Sequence, residues 1–405
     1  MGATAAMTGN WLGRCSPAFR LLMATSWLAP EAWRQRQNEA ILGACDAAVD
    51  WVEYIALVER HRTPAMSWAA LKRVSGITIP EGAAKTLKHH SDACRIRSVI
   101  HLQLLMGVLK GLDAAGISAM PLKGPLLSFE LYGDAGLRES KDLDVLIPRA
   151  DLPAARLCLC DMGWHLRKDD SHLTPRQSEF RSRHEHHVSL VHTRQNAELE
   201  LHWRSTHWGR GDAIGSCWAT SIASKWQGYS YCAMNSVDLA VHLCDHGGGH
   251  AWFRAKWLGD MARMLAERRI EAEAVLERAR ALGQERPVLQ CLRLLRDGYG
   301  LPMPAVIERE LSSLDPLVIE RAVQKLTDPV GLQLNGSLRA IRDQIRYWIY
   351  VHRLWPHLSI GDTIADMAIF PADFELIRLS DRLFWLYVPL RPVLWAWRHR
   401  KKVAV

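Results

Sequence analysis

The segment Arg138-Glu-Ser-Lys-Asp-Leu-Asp-Val-Leu-Ile147 shows the most informative pattern in the chain. Acidic and apolar residues alternate from Asp142 onward, and this alternation predicts a strand over 142–147. Because successive strand residues point to opposite faces, the carboxylates of Asp142 and Asp144 share one face and the apolar side chains pack on the other. The two carboxylates are then roughly 6.6 Å apart along the strand. At that separation they can share hard cations such as Mg²⁺.

The acidic face of this strand also has a competing explanation. Two like charges on one face repel each other, so an Asp-x-Asp pair is compatible with a solvated strand edge. Arg138 and Ser140 have the same parity as the two aspartates. They would face the same site if the strand extended that far.

A turn suited to phosphate precedes this strand. Residues 117–122 predict a short strand, and Gly124-Pro125 then opens a helix through about Tyr132. The N–H groups of a first helical turn lack intrahelical partners, and the helix dipole there favours anions. Gly124 lets a phosphate approach the backbone closely, and Lys123 adds a positive charge. A phosphate site is therefore predicted at Lys123 and Gly124.

A third carboxylate is expected on a neighbouring strand. The segments 187–192 and 198–203 predict a β-hairpin, in which Glu198, Glu200 and His202 share one face. Glu200 would complete a metal cage with the two aspartates. Two metals about 3.5–4 Å apart can activate a hydroxyl nucleophile and hold the leaving phosphates of an in-line displacement.

These motifs carry a family resemblance over 120–203. The run resembles the nucleotidyltransferase fold of the DNA polymerase beta superfamily. It is more closely similar to a bacterial nucleotidyltransferase family often found beside polysaccharide or peptide biosynthesis genes. The motifs that match this family are Leu122-Lys123-Gly124, Tyr132, Arg138, Asp142 with Asp144, Gly163-Trp164 and Glu200-Leu201-His202-Trp203. Further similar stretches are His242 to His246, Trp257 to Asp260 and Leu386 to Pro392.

The resemblance implies an enzyme that moves a nucleoside monophosphate from an NTP to an acceptor hydroxyl and releases pyrophosphate, with Mg²⁺ or Mn²⁺ as cofactor. The implied catalytic residues and metal ligands are Asp142, Asp144 and Glu200. The implied nucleotide-binding residues are Lys123, Gly124, Arg138, Ser140 and His202. The acceptor is expected to be a small molecule, a saccharide or a peptide rather than nucleic acid.

Two departures from the superfamily pattern keep other functions open. The phosphate turn has Gly124-Pro125 where Gly-Ser is common, and the third acid is Glu200 where Asp is common. The first departure favours a non-catalytic nucleotide-binding or regulatory module on the same fold. The Arg-x-Ser-x-Asp-x-Asp pattern is also similar to that of toxin-like transferases that modify tRNA.

The composition is that of an ordinary globular protein. Of 405 residues, 48% are apolar and 23% are charged, which excludes a disordered or collagen-like chain. The net charge of +8 slightly favours phosphate-bearing partners. Nine scattered cysteines without a Cys-x-x-Cys motif indicate reduced thiols and a cytoplasmic protein.

Changes in pattern along the chain predict an α+β protein with a small mixed sheet flanked by helical regions. The three regions are an N-terminal helical region (1–116), a nucleotidyltransferase core (117–228) and a C-terminal helical region with a basic aromatic tail (229–405). A long helix is predicted from about Ser91 to Ala115. A helix near His242 and His246 should break at Gly247-Gly248-Gly249, before His250.

The histidines and the tail give further expectations. No Cys or His set has the spacing of zinc ligands, so no zinc site is predicted.

No window approaches 18 uninterrupted apolar residues, so a membrane-spanning helix is not expected. Residues 385–402 mix Trp, Leu and Tyr with Arg and Lys. They predict a packed helix with a basic end, and contact with the inner membrane surface is the alternative.

Overall fold

A mixed sheet enclosed by helices forms the centre of the protein, which confirms the α+β class. The computed structural model describes residues 11–168, 170, 172–205, 217–328, 338–359, 361 and 368–403. The five strands of the sheet are β1 (Met120–Pro121), β2 (Asp142–Leu146), β3 (Trp164–Leu166), β4 (His187–His192) and β5 (Ala197–His202). Their order is β1-β2-β5-β4-β3. Strands β2 and β5 are parallel, and the other neighbours are antiparallel.

Five helices precede the sheet. They are α1 (Pro17–Thr25), α2 (Glu31–Asp46), α3 (Trp51–His61), α4 (Pro64–Lys72) and α5 (Glu81–Ala114). Side-chain caps fix two of the starts, because Ser16 accepts from the Phe19 N–H and Asp50 accepts from the N–H groups of Val52 and Glu53. Helix α5 begins ten residues before the predicted Ser91, directly after Pro80, because buried residues at helical spacing start already at Ala83 and Leu87.

Helices and a second small sheet complete the core region. They are α6 (Gly124–Tyr132), α7 (Leu152–Asp161), α8 (Pro175–His184) and the hairpin strands β6 (Ile222–Trp226) and β7 (Tyr229–Ala233). The first strand is shorter than the predicted 117–122. Pro121 has no N–H for the ladder, and the chain turns into α6 directly after Leu122.

The remaining helices lie in the C-terminal region. They are α9 (Ser236–Gly249), α10 (Ala255–Ala266), α11 (Ala272–Ala281), α12 (Glu285–Tyr299), α13 (Ala305–Ser313), α14 (Pro316–Thr327), α15 (Leu338–Leu354) and α16 (Tyr387–Val403). The helix that carries His242 and His246 ends at Gly249, before His250 as predicted, although its three glycines are themselves helical. A Cβ on Gly247 would lie 2.5 Å from the ring of Trp252, so this glycine permits close packing rather than ending the helix.

The two faces of the sheet bury different side chains. Leu143, Val145, Leu199 and Leu201 are fully buried in a core shared with α5 and α7. The opposite face carries the acidic residues of β2 and β5 and is covered by α9 and α10. The sheet therefore presents a polar face inside the molecule, and this placement creates the candidate site.

The tail packs against the core region. A small apolar cluster joins Phe374, Phe384, Tyr387 and Leu394 with Phe180 of α8. The buried amide of Gln177 donates to the Tyr387 hydroxyl and to the Leu379 carbonyl. Within the described residues, every helix is too short or too polar to cross a bilayer.

Candidate active site

Three carboxylates lie side by side on the polar face of the sheet. In the parallel register of β2 and β5, Asp142 is opposite Glu198 and Asp144 is opposite Glu200. Glu198 is paired with Arg167 at 3.0 Å and with Lys141 at 3.8 Å. The arrangement brings Asp142, Asp144 and Glu200 to one cavity, as the sequence predicted for a metal cage.

Asp144 is the most deeply buried of the three acids. Its Oδ1 atom lies 3.2 Å from Lys123 Nζ and 3.2 Å from His202 Nε2. His202 also approaches Glu200, with Nε2 3.4 Å from Oε2. Asp144, Glu200 and His202 present ligand atoms that all lie within 4.8 Å of one another, a spacing compatible with one metal ion.

Charge interactions separate the pKa values of these groups. Burial raises the pKa of Asp142, and repulsion from Asp144 and Glu200 raises it further. Burial would also raise the pKa of Asp144, but the charge of Lys123 and the hydrogen bond from His202 lower it far below its ordinary value. Burial lowers the pKa of His202, but hydrogen bonds to Asp144 and Glu200 outweigh burial and raise it. A cation at this position would relieve the repulsion that Asp142 experiences.

The predicted phosphate turn lies directly beside these carboxylates. Lys123 is the residue before α6, and Gly124 opens the helix with a φ of +80°, a value that favours glycine. The Leu122 N–H donates to the Asp144 carbonyl, so the turn is fixed to β2. The Ser140 hydroxyl donates to the Asp142 carbonyl at 2.6 Å and therefore braces the start of the same strand.

Arg138 lines the cavity but is held by a partner outside the sheet. Its Nε donates to Asp260 Oδ2 of α10 at 2.7 Å, and both side chains are at most 2% exposed. The Tyr132 hydroxyl approaches the same aspartate at 3.5 Å. The structure therefore places Asp260, on α10, as the counter-charge of Arg138.

The cavity that contains the carboxylates has a volume of about 260 Å³ and a strongly basic lining. Among the described residues, its basic members are Arg62, Lys123, Arg138, Lys141, Arg254 and Lys256. Phe253 and Trp257 add aromatic surface, and His246 and His250 complete the wall. Carboxylates beside a concentration of cations suit a ligand that is a metal-bound polyphosphate.

The sequence did not assign Arg62, Phe253, Arg254 or Lys256 to the site. Phe253 and Arg254 directly precede α10 and Lys256 is its second residue, close to the stretch Trp257 to Asp260 that carries family similarity. That proximity is the only sequence signal for them. Arg62 follows the end of α3 in the left-handed conformation, and nothing in its neighbourhood in the sequence links it to the site.

Lys256 has an unusual electrostatic position. Its ammonium donates to the Glu139 carbonyl at 2.8 Å. Burial, together with the nearby charges of Arg138 and Arg62, lowers the pKa of Lys256 to about 7. Its charge therefore changes within the physiological range, which matters for any anion that binds beside it.

The sheet order, the paired aspartates on β2 and the third acid on β5 define a nucleotidyltransferase-like α+β protein. Residues 47–300 match the family described as uncharacterised nucleotidyltransferase, and the chain belongs to that family. This membership supports nucleotidyl transfer as the general activity. No curated protein and no solved structure matches the chain.

Proposed function

We propose that the protein is a Mg²⁺- or Mn²⁺-dependent nucleotidyltransferase that moves a nucleoside monophosphate from an NTP to an acceptor hydroxyl. The observation that carries the proposal is the meeting of Asp142, Asp144 and Glu200 in a cavity lined by six basic side chains. Three carboxylates form a donor set that suits Mg²⁺, because hard cations prefer oxygen ligands. The divalent ions of such a site lower the pKa of a hydroxyl nucleophile and neutralise phosphate charge when they are bound.

The position of each residue around the cavity indicates its role in binding the nucleotide. Lys123 and the N–H groups at Gly124 hold the β- and γ-phosphates, and Arg254 and Lys256 neutralise their charge. Trp257 and Phe253 offer aromatic faces for the base. Arg138 acts through Asp260 to hold the loop before β2, and Ser140 braces Asp142.

The chemical step is an in-line displacement at the α-phosphorus. Glu200 accepts the proton of the acceptor hydroxyl, and the acceptor oxygen forms a bond to the α-phosphorus. The bond from that phosphorus to the β-phosphate bridging oxygen breaks, and pyrophosphate leaves with the electron pair. Asp142 and Asp144 would hold the divalent ions, which would supply Lewis-acid activation of the hydroxyl and neutralise phosphate charge.

Asp142→Asn provides the cleaner test of this proposal. Asp144 is buried between Lys123 and His202, so its substitution also leaves a buried cation without a partner. Asp142 is more accessible, and its replacement changes the metal site with less effect on the fold. We expect Asp142→Asn to abolish transfer from α-labelled NTPs, and Asp161→Asn, an exposed control on α7, to retain it.

A thermal melt with each NTP, with and without Mg²⁺, separates binding from turnover. A ligand at a hundred times its Kd adds roughly 2.7 kcal/mol of stability. A Mg²⁺-dependent shift that disappears in Asp142→Asn supports the site and identifies the NTP for acceptor searches. Full transfer activity in Asp142→Asn and in Asp144→Asn would contradict the assignment.

A non-catalytic nucleotide-binding module is the second candidate, and one observation favours it. Lys123 lies 3.2 Å from Asp144, so an ammonium group already neutralises a carboxylate that the metal would need. Metal-dependent NTP binding without any product, across saccharide, peptide and small-molecule acceptors, would support this alternative. An adduct on tRNA would instead point to a toxin-like transferase.

A further inference from the structure

Three imidazoles meet where β4 begins and β5 ends. His187 is the first residue of β4, His202 is the last residue of β5, and the antiparallel register places them opposite each other. The His186 carbonyl accepts the Trp203 N–H at 3.0 Å, so the backbone fixes the third histidine as well. The ring centroids of His186, His187 and His202 are 4.6 to 5.5 Å apart.

The spacing of the donor atoms suits a small metal ion. One nitrogen from each of the three histidines lies within 4.8 Å of the others. Glu200 extends the set, because its carboxylate oxygens lie 3.6 Å from His187 Nε2 and 3.4 Å from His202 Nε2. Tetrahedral ligands with bonds of ~2.0 Å are separated by roughly 3.3 Å. The two distances to Glu200 are close to that value.

His187 has unsatisfied hydrogen-bonding capacity at this position. Its Nδ1 atom is buried and has no hydrogen-bond partner among the described residues. Its Nε2 atom is 3.6 Å from Glu200, which is longer than a hydrogen bond. Buried polar atoms are normally satisfied, so this nitrogen is available to a ligand that the cluster binds.

We propose that His186, His187 and His202, with Glu200 at the edge, bind a transition-metal ion of the Zn²⁺ class. Imidazole suits Zn²⁺ and its neighbours in the first row, whereas Mg²⁺ prefers carboxylate and water. The site shares Glu200 with the carboxylate set and His202 contacts Asp144, but its donors are mainly imidazole nitrogens. It does not depend on the proposed nucleotidyl transfer, because its ligands and its preferred ion would be the same in a binding module.

Cobalt absorption and zinc dialysis test this site with readouts independent of activity. Co²⁺ in a tetrahedral nitrogen and oxygen site gives intense visible bands, and equilibrium dialysis gives the zinc stoichiometry and Kd. We expect one tightly bound ion per chain in the wild type. His187→Gln should weaken zinc binding at least tenfold and remove the cobalt bands. Asp142→Asn should keep both, because Asp142 is outside the histidine set.

Two further variants make the result decisive. His89→Gln replaces an exposed histidine on α5 and should bind zinc as the wild type does. His186→Gln provides a second ligand variant if the metal-free His187→Gln protein melts differently from the wild type. The proposal is overturned if the wild type binds zinc no better than His187→Gln and His186→Gln. It is also overturned if binding survives in both but is lost in Asp142→Asn.

Discussion

At the residue scale, the site is organised by buried charges that already have partners. Asp144 is neutralised by Lys123 and His202, and Arg138 is neutralised by Asp260. Burying a charge is costly unless a partner and hydrogen bonds compensate, and both carboxylates meet that condition. The charges of Asp142 and Lys256 are compensated less by neighbouring groups. These two side chains are therefore the ones that remain available to a bound metal and polyphosphate.

Asp260→Asn should destabilise the protein more than its distance from the metal site suggests. The substitution leaves the buried guanidinium of Arg138 without its counter-charge, and breaking a buried pair in this way typically costs about 3–5 kcal/mol. Urea unfolding of the variant measures the loss. Asp161→Asn, which is exposed, should unfold as the wild type does. A loss below about 1 kcal/mol for Asp260→Asn would contradict a structural role for the pair.

NTP affinity should fall as the pH rises through about 7. The pKa of Lys256 is lowered to about 7, so its charged form predominates below that pH and its neutral form above it. A bound polyphosphate favours the charged form, and affinity is therefore expected to weaken between roughly pH 6.5 and 8.5. Titrations of Lys256→Arg separate this effect from ionisation of the nucleotide, because a guanidinium stays charged. Equal pH profiles for the two proteins would show that Lys256 does not contribute.

At the element scale, helix α9 shows how packing uses glycines in the last turn of a helix. Three consecutive glycines are typical of a helix end, and α9 ends at the third of them, Gly249. Trp252 is fully buried and its indole N–H donates to Gln290, so the ring must lie directly on the helix backbone. Gly247 provides the space, and the neighbouring His246 lies at the wall of the cavity that contains the carboxylates.

Replacing Gly247 or Gly249 of α9 with alanine should change the stability of the protein differently at the two positions. Gly247→Ala places a methyl group 2.5 Å from the Trp252 ring, and such overpacking typically costs about 1–3 kcal/mol. Gly249→Ala has nothing within 4 Å of the added methyl, so it should be neutral or stabilising by up to about 1 kcal/mol. Thermal melts of the two variants measure the difference. Equal stabilities would refute the packing explanation.

At the scale of the whole molecule, the cavity is assembled from all three regions of the chain. Arg62 comes from the N-terminal helices, the carboxylates come from the sheet, and Lys256 comes from α10. A hydrogen bond from the Ala255 N–H to His61 joins the first and last of these regions beside the cavity. The family match over 47–300 spans these contributors, so they belong to the part of the chain that defines the family.

Removing the Tyr387 hydroxyl should weaken the packing of the tail, residues 368–403, against α8. Tyr387 donates to the Ile377 carbonyl at 2.7 Å and accepts from Gln177 at 2.9 Å. Tyr387→Phe leaves these buried groups unsatisfied, at a cost of about 1–3 kcal/mol. We expect faster proteolysis and faster amide exchange over 368–403, with NTP binding unchanged. Trp385→Phe, at a 60% exposed position, is the control and should not change either rate.

The local parts of the site could be predicted from the sequence because they depend on short-range rules. Alternation along a strand placed Asp142 and Asp144 on one face, and the same rule placed Glu200 and His202 on another. The turn at Lys123 and Gly124 followed from the chemistry of glycine and of helix starts. Local rules do not say which strands pair, and the family resemblance supplied the expectation that these two faces meet.

The tertiary structure decided which charged residues of different elements pair with one another, and local sequence rules do not predict such pairs. The pairing of Arg138 with Asp260 and of Lys123 with Asp144 joins residues that lie on different elements of the chain. Each pair depends on which helix or strand packs beside the sheet, and that choice follows from burial of apolar surface over the whole molecule. The sequence by itself determined the chemistry that the polar face can offer. Folding determined which charges neutralise one another there and which remain available to a ligand, because the electrostatic interaction between two side chains depends on their separation in space and not along the chain.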